Sequence, residues 1–118
     1  MTEKFVAREK SRAFALRVVR SCQYLQGRKR EYVLSKQLLR SGTAIGALVR
    51  EAEYAESRPD FVHKMHMALK EANETDYWID LLSDAGYFAP EAGQSLRVDC
   101  RELLRILIAI IKTTKSQR

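Results

Sequence analysis

The sequence predicts an all-α fold, an up-down-up-down antiparallel four-helix bundle, on three observations. Apolar residues recur at spacings of three and four through four long stretches. No stretch alternates apolar and polar residues as a half-buried strand would. Five glycines and two prolines punctuate 118 residues, so helices are long and connections short. This length suits a single domain over 1–118 with one core.

The first helix spans about residues 3–25. Phe14, Val18, Cys22 and Leu25 form its apolar stripe, and Gly27 with the basic run "GRKR" ends it. The second spans about 31–56, with Leu34, Leu38, Ser41, Ile45, Leu48, Ala52 and Ala55 in heptad-like alternation. Gly42 and Gly46 sit inside it, where each costs about 1 kcal/mol relative to alanine. Lacking a Cβ, the pair lets another helix approach closely, either within the bundle or from a second subunit. The third helix spans about 58–85. Ser57 caps it, Pro59 fits its first turn and Asp60 completes a capping-box-like pattern. Its seam is Phe61, Met65, Ala68, Ala72, Thr75, Ile79 and Leu82. Gly86 ends it. Pro90 opens the fourth helix, to about 115, with Leu96, Cys100, Leu103, Leu107 and Ile110 inward and Leu104 and Ile111 widening the seam. Antiparallel packing of neighbours joined by short turns is the economical arrangement.

The net charge is +6, unevenly spread. Residues 1–40 hold eleven Lys/Arg against three Asp/Glu, a balance of +8. Residues 41–96 hold four against ten, or −6, and residues 97–118 six against two, or +4. Basic ends around an acidic middle point to polyanion binding, or to basic surface docking on acidic surface between copies. No apolar run nears the roughly 20 residues of a membrane span. The first residues lack the apolar core of a secretory signal, so the cytoplasm is the expected location. Cys22 and Cys100 lie on apolar faces and are expected to be reduced small hydrophobes.

On the fourth helix, Arg97, Arg101, Arg105, Lys112 and Lys115 fall within about 80° at 100° per residue. Asp99 and Glu102 lie opposite. "ILIAII" (106–111) is apolar nearly all round, with Ile108 inside the basic stripe. A lone bundle needs one buried stripe per helix, so the surplus points to self-association.

The stretch 34–82 also carries "SKQLLRSGT", "REA", "SRPDF", "ALKEANETDYW" and "LL". In these motifs the chain resembles the bacterial four-helix-bundle proteins of the 23S rRNA intervening-sequence protein family. The resemblance implies a compact bundle, often a homopentamer, in a family whose biochemical role is not established. It implies more distantly a likeness to the accessory protein of diversity-generating retroelements, a basic pentameric barrel that associates with nucleic acid and a reverse transcriptase. "GTAIGAL" stands where the family has "GTSIGAN", so Ala44 and Leu48 replace a serine and an asparagine on one helix face.

Signals of catalysis are poor. There is no phosphate loop, metalloprotease motif or nucleophile elbow. Asp60, His63 and His66 share one helix, with two readings: surface histidines or a metal site. No metal and no cofactor are expected. Arg40, Arg50, Glu51, Glu71 and Glu74 coincide with the family motif. They read as interhelical ion pairs, Arg40 with Glu74 or Glu71 since Arg40 and Glu74 lie 17 residues either side of Ser57, or as an anion site or an acid pair. A buried pair of this kind would cost about 3–5 kcal/mol on losing one partner. Tyr77 and Trp78 read as packing or as base-stacking platforms. The candidate phosphate contacts are Arg17, Arg20, Arg28, Lys29, Arg30, Arg97, Arg101, Arg105, Lys112 and Lys115, against a plain solvated face.

The functional expectation is a non-enzymatic homo-oligomer, pentameric by the resemblance, binding RNA or DNA, structured RNA among them, through its cations with little base selectivity. The alternative is a structural adaptor whose apolar helix surface binds a protein partner.

Overall fold

The chain turns after Gly27 and at Gly86, and Pro59 and Pro90 each stand in the first turn of a helix. The protein, described by a computed structural model over residues 2–117, contains α1 (Thr2–Gly27), α2 (Leu34–Ala52), α3 (Arg58–Asp84) and α4 (Pro90–Ser116). Ser57 is extended, and its Oγ accepts the Asp60 N–H at 3.1 Å, while Asp60 reaches back to the Glu56 N–H at 3.2 Å. Gly86 takes a positive φ of 86° after α3. There the N–H groups of Tyr87 and Gly86 close on the carbonyls of Leu82 and Ser83, the double bond pattern that ends a helix on a left-handed residue.

α2 is shorter than its sequence predicts, by about three residues at the start and four at the end. The predicted start, Glu31, is the cap and not the first turn. Its buried carboxylate accepts the N–H groups of Val33, Leu34 and Ser35 at 3.1, 2.9 and 2.7 Å. At the other end Glu53, Tyr54 and Ala55 each donate to a carbonyl three residues back. This tighter winding turns the chain toward the extended Ser57.

α1 packs on α2 and α4, and α3 on α2 and α4, with no diagonal contact among the described residues. That is the closed up-down-up-down order, 50 × 22 × 19 Å overall. The sequence-predicted seams bury as one core, with Leu34, Ala55, Phe61 and Leu104 only partly covered. Ser41 and Thr75 meet inside it, their hydroxyl oxygens 3.0 Å apart, with the Glu71 carbonyl 2.7 Å from Thr75 Oγ1. Their polar atoms are thereby satisfied within the helices. Cys22 and Cys100 donate to the carbonyls of Ser35 and Ala72. Burial pushes their thiols up to about 11 and about 12, so both stay protonated at neutral pH.

Both glycines inside α2 turn toward α1 of the same chain. A Cβ on Gly42 would lie 2.8 Å from both methyls of Val18, and one on Gly46 would lie 3.4 Å from Ser11. Ala44 is partly covered and Leu48 is buried in the core. Leu48 is thus a packing residue. The surplus of apolar surface on α4 is mostly absorbed by the bundle: Leu107, Ile110 and Ile111 are buried, Ile106 packs against the core, and Ile108 stays 40% exposed.

Candidate nucleic-acid interface

The ten cations singled out in the sequence divide into two groups. Three are struts between helices. Arg17 on α1 donates to Asp99 on α4 at 2.6 Å and to the Ser95 carbonyl and hydroxyl at 3.3 and 3.2 Å. Arg97 on α4 bridges to α3, donating to both Asp76 oxygens at 2.9 and 3.3 Å and to Asp80 at 3.0 Å. Arg101 approaches Asp76 at 3.5 Å. The first half of the α4 stripe therefore leans on the acids of α3. A guanidinium held this way offers a phosphate less than a free one.

The other seven, Arg20, Arg28, Lys29, Arg30, Arg105, Lys112 and Lys115, are exposed and form no ion pair among the described residues. Arg28, Lys29 and Arg30 crown the α1–α2 turn, where the Glu31 N–H donates to the Leu25 carbonyl at 2.9 Å. Arg30 sits in the left-handed region at φ 55°, uncommon for a residue with a side chain. The Glu31 cap fixes the chain just behind it, and Tyr32 and Val33 are exposed beside it.

Sequence inspection missed a second cationic element. A shallow cleft of about 230 Å³ runs between α1 and α2, lined by Arg8, Arg12 and Arg50 over Ser11, Ala15, Thr43, Gly46 and Ala47. Arg12 and Arg50 form no ion pair among the described residues, and Arg8 approaches Glu53 at 3.5 Å. Lys36 shares the α2 face of Thr43, Ala47 and Arg50 by helical angle and is exposed. The spacing of Arg8 and Arg12, one helical turn, was a usable sign. What the sequence hides is that these arginines face Arg50, some forty residues away, across a floor of small side chains.

Arg40 donates to both Glu71 oxygens at 3.1 and 3.3 Å and to Glu74. Glu74 also accepts the Trp78 indole N–H at 2.9 Å. Trp78 first and then Arg40 hold the Glu74 carboxyl below its ordinary range, and Glu74 and Glu71 raise the Arg40 guanidinium further. The network lies at the surface, however, with the Arg40 side chain 50% exposed. The cost of a buried pair does not apply. An exposed network of this size is worth about 1 kcal/mol or less. Trp78 is fixed by this bond and partly buried, with Tyr77 packed edge-on at 5.0 Å. Tyr77 keeps an exposed ring.

Asp60 is occupied as a capping residue, and no group of three His, Cys, Asp or Glu among the described residues could hold a metal ion. His63 and His66 instead line a surface depression with Arg58, Pro59, Val62 and Lys115. No described helix is long and apolar enough to cross a membrane.

The comparisons with known proteins agree with this bundle. Residues 3–109 match the family described as 23S rRNA-intervening sequence protein. The chain belongs to this family. A crystal structure of a protein of unknown function from the S23 ribosomal protein family of Bacteroides thetaiotaomicron is similar, at 48% identity and a TM-score of 0.92. The match covers 93% of this chain and 98% of that one. No curated protein matches the sequence. The family motifs in this chain are mostly structural in placement: "SRPDF" caps α3, while "SKQLLRSGT" and "ALKEANETDYW" hold the Arg40–Glu71–Glu74–Trp78 network and the Ser41–Thr75 contact.

Proposed function

We propose that this protein is a non-enzymatic, cytoplasmic, homo-oligomeric bundle that binds nucleic acid, structured RNA foremost, through its Lys and Arg side chains. One observation carries the proposal: ten of the fifteen carboxylates are engaged in ion pairs or helix caps, while Arg12, Arg20, Arg28, Lys29, Arg30, Lys36, Arg50, Arg105, Lys112 and Lys115 are exposed and form no ion pair among the described residues. Among the described residues, Glu51, Glu53, Glu71, Glu74, Asp76, Asp80, Asp99 and Glu102 are in ion pairs, and Glu31 and Asp60 cap helices. The net charge of +6 thus rests on a surface where these cations are available to a polyanion. Such charge binds phosphates in a salt-dependent manner and with little base preference. The family's name, tied to intervening sequences of 23S rRNA, supports RNA as the polyanion.

Affinity for a structured RNA should fall linearly in a log–log plot against salt, with a slope near −0.7 to −0.9 per neutralised phosphate. A gel-shift titration reads this, and no binding near 50 mM salt would defeat the proposal. Its oligomeric part is tested by solution mass: five copies of a 13.6 kDa chain give about 68 kDa. A single-copy mass at micromolar concentration would remove the pentamer. A second reading, an adaptor for a protein partner, is favoured by Met67, Tyr77 and Leu81, exposed within about 80° on the outer face of α3.

A further inference from the structure

We infer that the α1–α2 seam, rather than the α4 stripe, is the principal track for a phosphodiester backbone. The inference rests on the nucleic-acid reading above and assigns it a place. Lys36 and Arg50 stand 14 residues apart on one face of α2, about 21 Å at 1.5 Å per residue. Arg8 and Arg12 face Arg50 across the cleft, and the Arg28–Arg30 turn joins α1 to the Lys36 end of α2. Glu53, held by Arg8, is the one carboxylate this line meets in an ion pair among the described residues. The α4 stripe differs: Arg97 is committed to Asp76 and Asp80, and Arg101, as Arg8 does with Glu53, approaches a carboxylate at 3.5 Å.

The floor chemistry defines the ligand. Gly46, Ala15 and Ala47 present no polar side chain, so a chain of phosphates approaches closely. Thr43 donates its hydroxyl proton to the Leu39 carbonyl at 2.7 Å, and Ser11 donates to the Arg8 carbonyl at 3.2 Å. Neither hydroxyl proton is left over for a ligand. The charged donors lining the cleft are the guanidinium groups of Arg8, Arg12 and Arg50, which bind phosphate oxygens and leave base edges unread. The seam thus takes the backbone of one nucleic-acid strand, tolerant of sequence.

The test compares three full-length variants with the parent, using about 20-nucleotide oligouridine and oligoadenosine across a salt series. R12Q/K36Q/R50Q should lose about 2–3 from the log–log slope and bind about tenfold or more weakly at 150 mM salt. A47E, which sets a carboxylate in the floor at an exposed helical position, should weaken binding similarly. R105Q/K112Q/K115Q should change the slope by less than about 1. The two oligonucleotides should bind the parent within about threefold of each other. Circular dichroism checks that each variant keeps its helices. If the parent binds and the α4 variant is the one that loses slope, or the seam variants bind as the parent does, the seam assignment is overturned while nucleic-acid binding stands. If the parent binds neither oligonucleotide nor structured RNA at 50 mM salt, the broader reading fails as well.

Discussion

Replacing Gly42 by alanine should lower the stability of the bundle by about 1–2 kcal/mol, while the same change at Gly46 should leave it unchanged or raise it by up to about 1 kcal/mol. Both positions are helical, so alanine brings the same propensity gain at each. The difference lies in what the new methyl group meets. At Gly42 it would stand 2.8 Å from both Cγ atoms of Val18, well inside van der Waals contact. Val18 is fully buried and β-branched, with essentially one χ1 rotamer open to it in a helix, so it cannot swing aside. α1 and α2 must move apart, and the overpacking outweighs the propensity gain. At Gly46 the nearest atoms, on Ser11, are 3.4 Å away, an ordinary contact. Denaturant midpoints at one fixed protein concentration separate the cases. A double-mutant cycle sharpens the result. Val18→Ala empties the space that the methyl group added by G42A would need, so the pair should be less destabilising than the sum of its singles by about 1 kcal/mol or more. Equal stability of G42A and G46A, with no coupling to Val18, would show that close helix approach is not what Gly42 provides.

Such contacts mark the boundary of what can be learned from the sequence. Signals contained in one segment were legible. Ser57, Pro59 and Asp60 announced α3, Gly86 closed it, Pro90 opened α4, and the three-four spacing of Met65, Ala68, Ala72, Thr75, Ile79 and Leu82 marked a face that is indeed buried. The glycine pair signalled close approach but not its partner, because Val18 and Ser11 belong to another helix. The same limit governs charge. A helical wheel places Arg97 and Arg101 on one stripe, yet it cannot say that Asp76 and Asp80 stand alongside, so the stripe looked freer than it is. The α1–α2 cleft failed to emerge for the converse reason: its arginines come from two helices and its floor is made of residues with little character of their own. Glu31 was hidden differently. Caps are sought among Ser, Thr, Asp and Asn, and a glutamate reads as a helix former.

That glutamate supports the second large effect. Glu31→Ala should cost about 2–3 kcal/mol, because it strips the acceptor from three N–H groups at the start of α2, one of them on the buried Ser35. Glu31→Gln keeps one acceptor oxygen and should cost about 1 kcal/mol at neutral pH. Burial alone would raise the Glu31 pKa. The N–H groups of Leu34, Ser35 and Val33 and the Ser35 hydroxyl outweigh it and hold the carboxyl below its ordinary range. A folded-state value below the unfolded one stabilises the protein at pH values above the unfolded pKa. That contribution is lost as pH falls through the folded value. Thermal or urea unfolding of the parent and of E31Q should therefore show a gap that is constant from pH 7 to about 5 and closes below about 4. Using E31Q as the reference removes the titration of Glu74 and every other carboxylate from the comparison. A gap that persists unchanged to pH 3 would mean that the charge on Glu31 contributes nothing to α2. The cap also sits directly behind Arg28, Lys29 and Arg30, so E31A should loosen this basic turn and weaken RNA binding by more than E31Q does. The order of the two variants should then be the same in unfolding and in gel shift, tying the helix cap to the charge it presents.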